Sequence, residues 1–168
     1  MELKSILKTL EKNSEYIGWK KINPDSFFSY ALKTMDDHSE QPWHLGFYNK
    51  KSDKMITFLV SQDGLSIQPE EAVFKEPNAK ISQIDESKLE QDLNSIMHAV
   101  EAVLKENYRG ELITKRIFIL QNLPEFGTVW NVTLLSKAMN AINIKIGPEN
   151  GQVLSHKMDN LMQFMKRE

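Results

Sequence analysis

The chain has 168 residues, enough to bury a sizeable core as one domain or as two small packed halves. Its 21 lysines and arginines stand against 23 aspartates and glutamates, with both signs interspersed, which argues against binding to nucleic acid or to an anionic membrane surface. The absence of cysteine excludes disulfides, thiolate catalysis and cysteine-ligated metals.

The N-terminal segment carries apolar residues at helical spacing with charges between them, which predicts an amphipathic helix. These apolar residues are Leu3, Ile6, Leu7 and Leu10. A signal peptide would need an uninterrupted apolar core, and a membrane span about eighteen apolar residues; the sequence contains neither. We therefore expect no membrane span and a cytoplasmic location. An extracytoplasmic location, with the leader already removed, is the alternative.

The next segments are less regular. Residues 16–21 predict a strand or a connector, and Asn23-Pro24-Asp25 predicts a helix start, with proline near the first turn and an Asx residue as cap. A helical stripe follows and ends in the polar residues 36–40. The stripe consists of Phe27, Phe28, Ala31, Leu32 and Met35.

Residues 43–68 predict a set of hairpins. Apolar residues from Trp43 onward alternate with polar ones, as in a strand with one buried face. Residues 55–60 are nearly continuously apolar, which indicates a strand covered on both faces. Asp63-Gly64 is typical of a type I′ hairpin turn.

Residues 130–154 repeat the plan of residues 43–67. Trp130 precedes Gly151 by 21 positions, as Trp43 precedes Gly64, and the two pairs are offset by 87 positions. We interpret this as one hairpin plan used twice, with both tryptophans in the core; two similar hairpins without common ancestry are the alternative.

The polar residues 75–83 predict a boundary, so that the chain divides into a first half, 1–76, and a second half, 77–168. Within the second half the apolar spacing predicts a long helix over 85–106, capped by residues 85–87. A strand over 113–120 and a turn over 122–127 follow. After the repeated hairpins, residues 158–165 predict a short C-terminal helix.

Each half therefore reads as a helix followed by an antiparallel sheet, an α+β architecture. In this order the second half, with IDESKLEQDLNSIMHAV, ITKRIFIL, VWNVTLL and INIKIGPENGQVL, resembles the PepSY domain. The first half, with PWHLGFY and ITFLVSQDGLSI, is similar to the degenerate first copy of tandem PepSY-like proteins. The resemblance implies a cystatin-like fold and a binding or inhibitory module, not an enzyme.

The chemical motifs indicate no cofactor. The glycines form no phosphate-binding loop. His38, His44 and Asp36-Asp37 form the one cluster of metal-ligand types, but the histidines are six positions apart around a proline turn, which favours a solvated loop. His98 reads as a histidine beside an apolar helix stripe, and His156 has no partner that the sequence identifies.

The function that the sequence favours is therefore a non-catalytic module that binds a protein or peptide on a sheet face and has an inhibitory or regulatory role. The candidate binding residues are Asn131, Thr133, Asn143 and Lys145. The alternative is a small-ligand-binding protein or enzyme with a pocket between helix and curled sheet. A third, weaker interpretation is a dimer like a secretion chaperone; the sequence leaves the oligomeric state open.

Overall fold

One antiparallel sheet organises the chain. The computed structural model describes residues 2–36, 39, 41–73 and 79–165, and the nine strands within them run in the order β4-β3-β2-β1-β6-β7-β8-β9, with β5 paired to β3. With four α-helices and a short 3-10 turn, this is the α+β class that the sequence predicts. The elements are α1 (Leu3–Glu11), α2 (Ser14–Ile22), β1 (Ser26–Asp36), β2 (Trp43–Asn49), β3 (Lys54–Ser61), β4 (Gly64–Ile67), β5 (Glu71–Ala72), a 3-10 turn (Glu86–Lys88), α3 (Leu93–Asn107), β6 (Ile113–Leu123), β7 (Gly127–Ser136), β8 (Asn140–Ile146), β9 (Val153–Asn160) and α4 (Leu161–Met165).

The centre of the sheet is the pair β1 and β6. Tyr30 lies opposite Gln121 and Leu32 opposite Ile119, so strands from both sides of the predicted boundary share one sheet. The boundary itself, between 76 and 77, falls on residues 74–78, outside the described residues.

The two faces of the sheet differ because side chains alternate along each strand. On one, the core face, α1, α2 and α3 pack over strand residues such as Leu45, Leu120 and Ile144, all without solvent exposure. We call the opposite side the outer face. Trp43 and Trp130, 4% and 1% exposed, meet on the core face with their ring centroids 6.4 Å apart. The prediction that both are core residues is confirmed.

The N-terminal helix is confirmed. The four apolar residues of its predicted stripe are the buried residues of α1, and they join the same core as the strands. Burial of this stripe makes α1 a structural part of the fold.

The prediction of a strand or connector over residues 16–21 is wrong, because this segment belongs to α2. The Asn13 side chain caps it by accepting a hydrogen bond from the Glu15 N–H at 2.8 Å. Tyr16 and Trp19, one turn apart, both set their rings against Phe58 at 5.4 and 5.2 Å. A tertiary aromatic cluster thus selects the helix where the local pattern was ambiguous.

The predicted helix over 27–35 is also wrong: the segment is β1, which lies with β6 at the centre of the sheet. A bulge between Phe28 and Tyr30 shifts the alternation by one residue, so Phe28 and Ala31 both lie on the core face. Their spacing of three imitates a helical stripe. Asn23-Pro24-Asp25 accordingly forms the turn between α2 and β1. Of the predicted polar end, 37, 38 and 40 lie outside the described residues.

The long helix begins at Leu93, eight residues later than predicted. Asp85 caps only the 3-10 turn, and the N–H groups of Glu90 and Gln91 donate to the Pro148 carbonyl at 3.1 and 2.9 Å. These bonds hold the chain out of helical geometry until Asp92 caps α3 by accepting from the Ser95 N–H at 2.7 Å.

The remaining predictions of elements need a smaller correction or none. β2, β3 and β4 confirm the hairpins of residues 43–68, and β6 to β9 those of the second half. The predicted type I′ turn at Asp63-Gly64 is wrong, because Gly64 pairs with Ser61 and Asp63 lacks the positive φ that this turn type requires. β3 is not covered on both faces, since Leu59 on the outer face is only half-buried whereas Phe58 is fully buried. The C-terminal helix starts at Leu161, because β9 continues to Asn160 and pairs there with Asn140.

Among the described residues, no helix combines the length and the apolar composition that crossing a bilayer requires.

Candidate functional site

The four residues that the sequence singles out come together on the outer face. Asn131 lies opposite Lys145, and Thr133 opposite Asn143, where β7 pairs with β8. Neighbouring residues Trp130, Val132 and the isoleucines of β8 turn to the core face, and alternation therefore sends these four outward. We call them the polar quartet: Asn131, Thr133, Asn143 and Lys145.

Asn143 links the quartet by hydrogen bonds. Its Nδ2 donates to Asn131 Oδ1 at 2.7 Å and lies 3.3 Å from both Thr133 Oγ1 and the Val132 carbonyl. Its Oδ1 accepts from Lys145 Nζ at 2.7 Å. The amide is thereby oriented by donors and acceptors on both sides, and the quartet forms one connected patch rather than four independent side chains.

Lys145 carries the charge of this patch. Its Nζ lies 5.7 Å from the centre of the Phe126 ring, in cation–π range, in addition to its bond to Asn143. Both contacts orient the ammonium. Because an ammonium has three donors, it can also bond a carbonyl or carboxylate oxygen of a docked molecule.

The outer face becomes apolar on the strands beside the quartet. A row runs across the sheet from Leu59 through His44, Leu32 and Ile119 to Asn131, each opposite the next. These side chains are all half-buried. An apolar strip thus adjoins a polar, positively charged patch on one surface.

Two titratable groups on this face respond to burial. Burial lowers the pKa of His44 below its ordinary 6.5, which favours the neutral imidazole at pH 7. Burial raises the pKa of Tyr30, while its hydrogen bond to Thr57, 2.8 Å long, works in the opposite direction and Glu71 raises it further. His44, the titratable residue of this row, is therefore mainly neutral at pH 7.

A cleft lies on the other side of the sheet, between the N-terminal ends of α1 and α3 and the end of β1. Its volume is about 600 Å³. At its base Lys33, 5% exposed, donates to the Gln41 carbonyl at 2.6 Å and lies 5.7 Å from the Trp43 ring. The lining residues are Glu2, Lys33, Met35, Asp36, Ser39, Trp43, Asp92, Leu93, Asn94 and Met97.

The remaining residues of chemical interest are dispersed. Among the residues that the structure describes, no three histidine, aspartate or glutamate side chains converge as a metal site requires. His44 lies in β2, and His38 is outside the described residues. His98 is exposed on α3, whereas His156 Nδ1 shares a 2.7 Å hydrogen bond with Tyr108 Oη.

Sequence reasoning missed two features of these surfaces. Lys33 has the sequence of an ordinary surface lysine, yet its side chain points to the core face. The bulge between Phe28 and Tyr30 causes this orientation and has no clear sequence signal. Arg116 likewise points to the helices, with its Nη2 3.2 Å from Glu101 Oε1. The strand register decides both orientations.

The comparisons with known proteins concern the fold. The structure is similar to the crystal structure of a provisionally assigned lipoprotein from Clostridium difficile 630, with a TM-score of 0.56 and 14% sequence identity. The similarity covers 89% of this chain and 97% of that one. Neither a protein-family model nor a curated protein matches the chain. At this identity the similarity shows a shared fold alone.

Proposed function

We propose that this chain is a non-catalytic binding module that holds a protein or peptide partner on the outer face of its sheet and acts as an inhibitory or regulatory component. The observation that carries the proposal is the polar quartet, bonded into one patch beside the apolar strip on the same face. A partner could bury its apolar side chains on the strip and bond its carbonyl or carboxylate oxygens to Lys145 and the amides.

The chemistry of the quartet supports binding over catalysis. Amides, a hydroxyl and one ammonium supply donors and acceptors without a nucleophile paired to a base, as covalent catalysis needs. Interfaces combine an apolar centre with polar groups at the margin, and the strip and quartet have that arrangement.

The test is capture of partners from the source cell, identified by mass spectrometry and then titrated as purified proteins. The outer-face variant combines Asn143→Leu with Lys145→Glu. The control combines Asn107→Leu with Lys105→Glu, the same two changes at exposed positions of α3. We expect the outer-face variant to lose the partner and the control to keep it; equal binding by both variants would remove the proposed surface.

We further infer that the two halves arose by duplication of one PepSY-like unit. The offset of 87 positions, read from the tryptophans and glycines, recurs in the strand pairing: Leu32 lies opposite His44, and Ile119 opposite Asn131. The two meanders on either side of β1 and β6 have the same strand order. A profile of sequences related to each half, compared with the other half, would test this; absence of any detectable similarity would count against common ancestry.

For the location we propose the cytoplasm. The support is that residues 3–10 carry charges between their apolar residues and that those apolar residues are buried in the core as part of α1. Fractionation of the native, untagged protein tests this, and recovery outside the cytoplasm would favour the extracytoplasmic alternative.

The second candidate function is small-ligand binding in the cleft, and the buried Lys33 at its base favours it. A thermal-shift screen of small polar molecules would be compared with a Met97→Trp variant, whose larger side chain occupies the cleft. A compound that raises the melting temperature of the wild type but not of the variant would support this function, and the absence of any such compound would favour the binding module.

A further inference from the structure

The two ends of the sheet are unlike each other. One end is formed by β4, four residues long, and β5, of two residues. The other end is β9, with eight residues, which within the described part of the chain pairs with β8 on one side only. Long free edge strands can pair with another strand, and proteins usually shorten, bulge or charge them to prevent this.

The free backbone groups of β9 can be identified from its pairing. The Leu161 N–H donates to the Met139 carbonyl at 2.9 Å, just beyond the end of the ladder. In an antiparallel ladder residues alternate between facing one neighbour and facing the other. Asp159 and Lys157 therefore bond β8, and the N–H and C=O groups of His156, Met158 and Asn160 point to the open side.

The charged side chains of this edge form a self-complementary pattern. Lys157 and Asp159 lie on the outer face, on either side of Met158 in the sequence, and their charged atoms are 3.0 Å apart. A second copy of β9, antiparallel to the first with Met158 opposite Met158, sets Lys157 of each copy opposite Asp159 of the other. Opposite charges directly across a strand pair stabilise it, and like charges destabilise it.

The same register also satisfies the backbone. Hydrogen-bonded pairs then form between the residues whose backbone groups point to the open side. Met158 pairs with Met158 of the second copy, and His156 pairs with Asn160 of the second copy. Lys157 and Asp159 fall at the intervening positions, where cross-strand side chains approach most closely. The Met158 side chains, 44% exposed in the single chain, would meet on the core face.

From this pattern we propose that the chain forms a twofold-symmetric homodimer by pairing β9 with β9 of a second copy, in the register that places Met158 at the axis. The interface is isologous, as a symmetric dimer requires. The two sheets become one continuous sheet, and the outer faces of both copies lie on the same side. Since Asn143 lies opposite Lys157, the dimer also brings the two polar quartets toward each other.

Charge reversal tests the register. Lys157→Glu sets two pairs of like charges across the axis, and so does Asp159→Lys. We expect each single variant to raise the dimer dissociation constant, measured by sedimentation equilibrium, by about tenfold or more. The charge-swapped double variant, Lys157→Glu with Asp159→Lys, should restore the wild-type constant.

A mixture provides the sharpest observation. In a heterodimer of the two single variants, each cross-strand pair again combines opposite charges, so an equimolar mixture should associate where each variant alone does not. Lys88→Glu serves as the control, because it makes the same change of net charge at an ion pair with Glu149 away from this edge. Circular dichroism melts of every variant establish that the monomer fold is kept.

Three results would overturn the proposal. The first is a wild-type chain that stays monomeric up to millimolar concentration. The second is a dimer whose dissociation constant neither single charge reversal changes. The third is a Lys88→Glu variant as weakened as the edge variants, since a general charge effect would then account for the change.

Discussion

The ring of Tyr30 lies across the sheet directly above Gly46. A Cβ added to Gly46 would stand 1.9 Å from Cε1 of Tyr30, and the Tyr30 hydroxyl reaches past the glycine to Thr57 on the next strand. The absence of a side chain on Gly46 thus leaves room for the Tyr30 ring to cross β2. The ring in turn covers the part of the strand that a side chain would otherwise cover.

Gly46→Ala should destabilise the fold by about 1–3 kcal/mol, because the ring and its hydrogen bond must move to admit a methyl group. The measurement is urea unfolding followed by tryptophan fluorescence. Gly18→Ala is the matched control: nothing lies within 4 Å of its added Cβ, and alanine in a helix is favoured by about 0.5–1 kcal/mol over glycine. A neutral Gly46→Ala would contradict the packing of Tyr30.

Ile6→Ala should lower the free energy of unfolding by about 2–5 kcal/mol, because the Ile6 side chain on α1 is fully buried in the core. Ile22→Ala removes the same atoms from a residue that is 81% exposed at the end of α2. This control should change the free energy of unfolding by less than about 0.5 kcal/mol. Equal, small effects would mean that α1 is not part of the core.

His44 should make the stability depend on pH. Since burial lowers its pKa in the folded chain, the unfolded chain binds a proton first as the pH falls through 6.5. The contribution of the neutral imidazole to stability is therefore present at pH 7 and is lost between 6.5 and the lower folded pKa.

The expected result is that the wild type loses more stability than His44→Gln when the pH is lowered from neutral to mildly acidic. Denaturant unfolding at several pH values measures the difference. His98→Gln, on the exposed surface of α3, controls for the loss of a histidine. A pH dependence that is the same in the wild type and His44→Gln would show that the imidazole titrates alike in both states.

Asn143→Ala should destabilise the chain by about 1–3 kcal/mol, since it removes the amide that joins the polar quartet and leaves half-buried partners without its bonds. Ser155→Ala, an exposed change on the edge strand beside Lys145, should alter stability by less than about 0.5 kcal/mol. Thermal unfolding of both variants is sufficient, and an equal effect would argue against a connected network.

Much of the fold could be predicted from sequence where alternation and turn residues agree. Trp43 begins a strand with one buried face, and Asn150-Gly151 lies at a reversal between two strands, because both signals act over a few residues. The polar quartet could be selected for the same reason, since alternation alone sends its members outward. Its hydrogen bonds depend on which residues of β7 and β8 lie opposite each other, which the sequence does not specify.

The failures occur where a distant contact decides. The bulge at Ser29 changes the face of every following residue in β1, and the Pro148 carbonyl keeps Glu90 and Gln91 out of α3. In α2 the rings of Phe47 and Phe58 select the helix. The Pro148 carbonyl and the two phenylalanine rings lie many residues away in the chain, and the bulge has no clear sequence signal, so a local pattern carries no information about any of them.

The pairing of β1 with β6 has a consequence for synthesis. Tyr30 cannot meet Gln121 until some ninety further residues have left the ribosome, which at usual translation rates takes about ten seconds. Throughout that interval β1 is an unpaired edge strand of the first meander, although it becomes a central strand of the sheet once β6 pairs with it. A nascent chain of this topology is therefore most exposed to chaperones, and to aggregation, at the strand that is best shielded once folding ends.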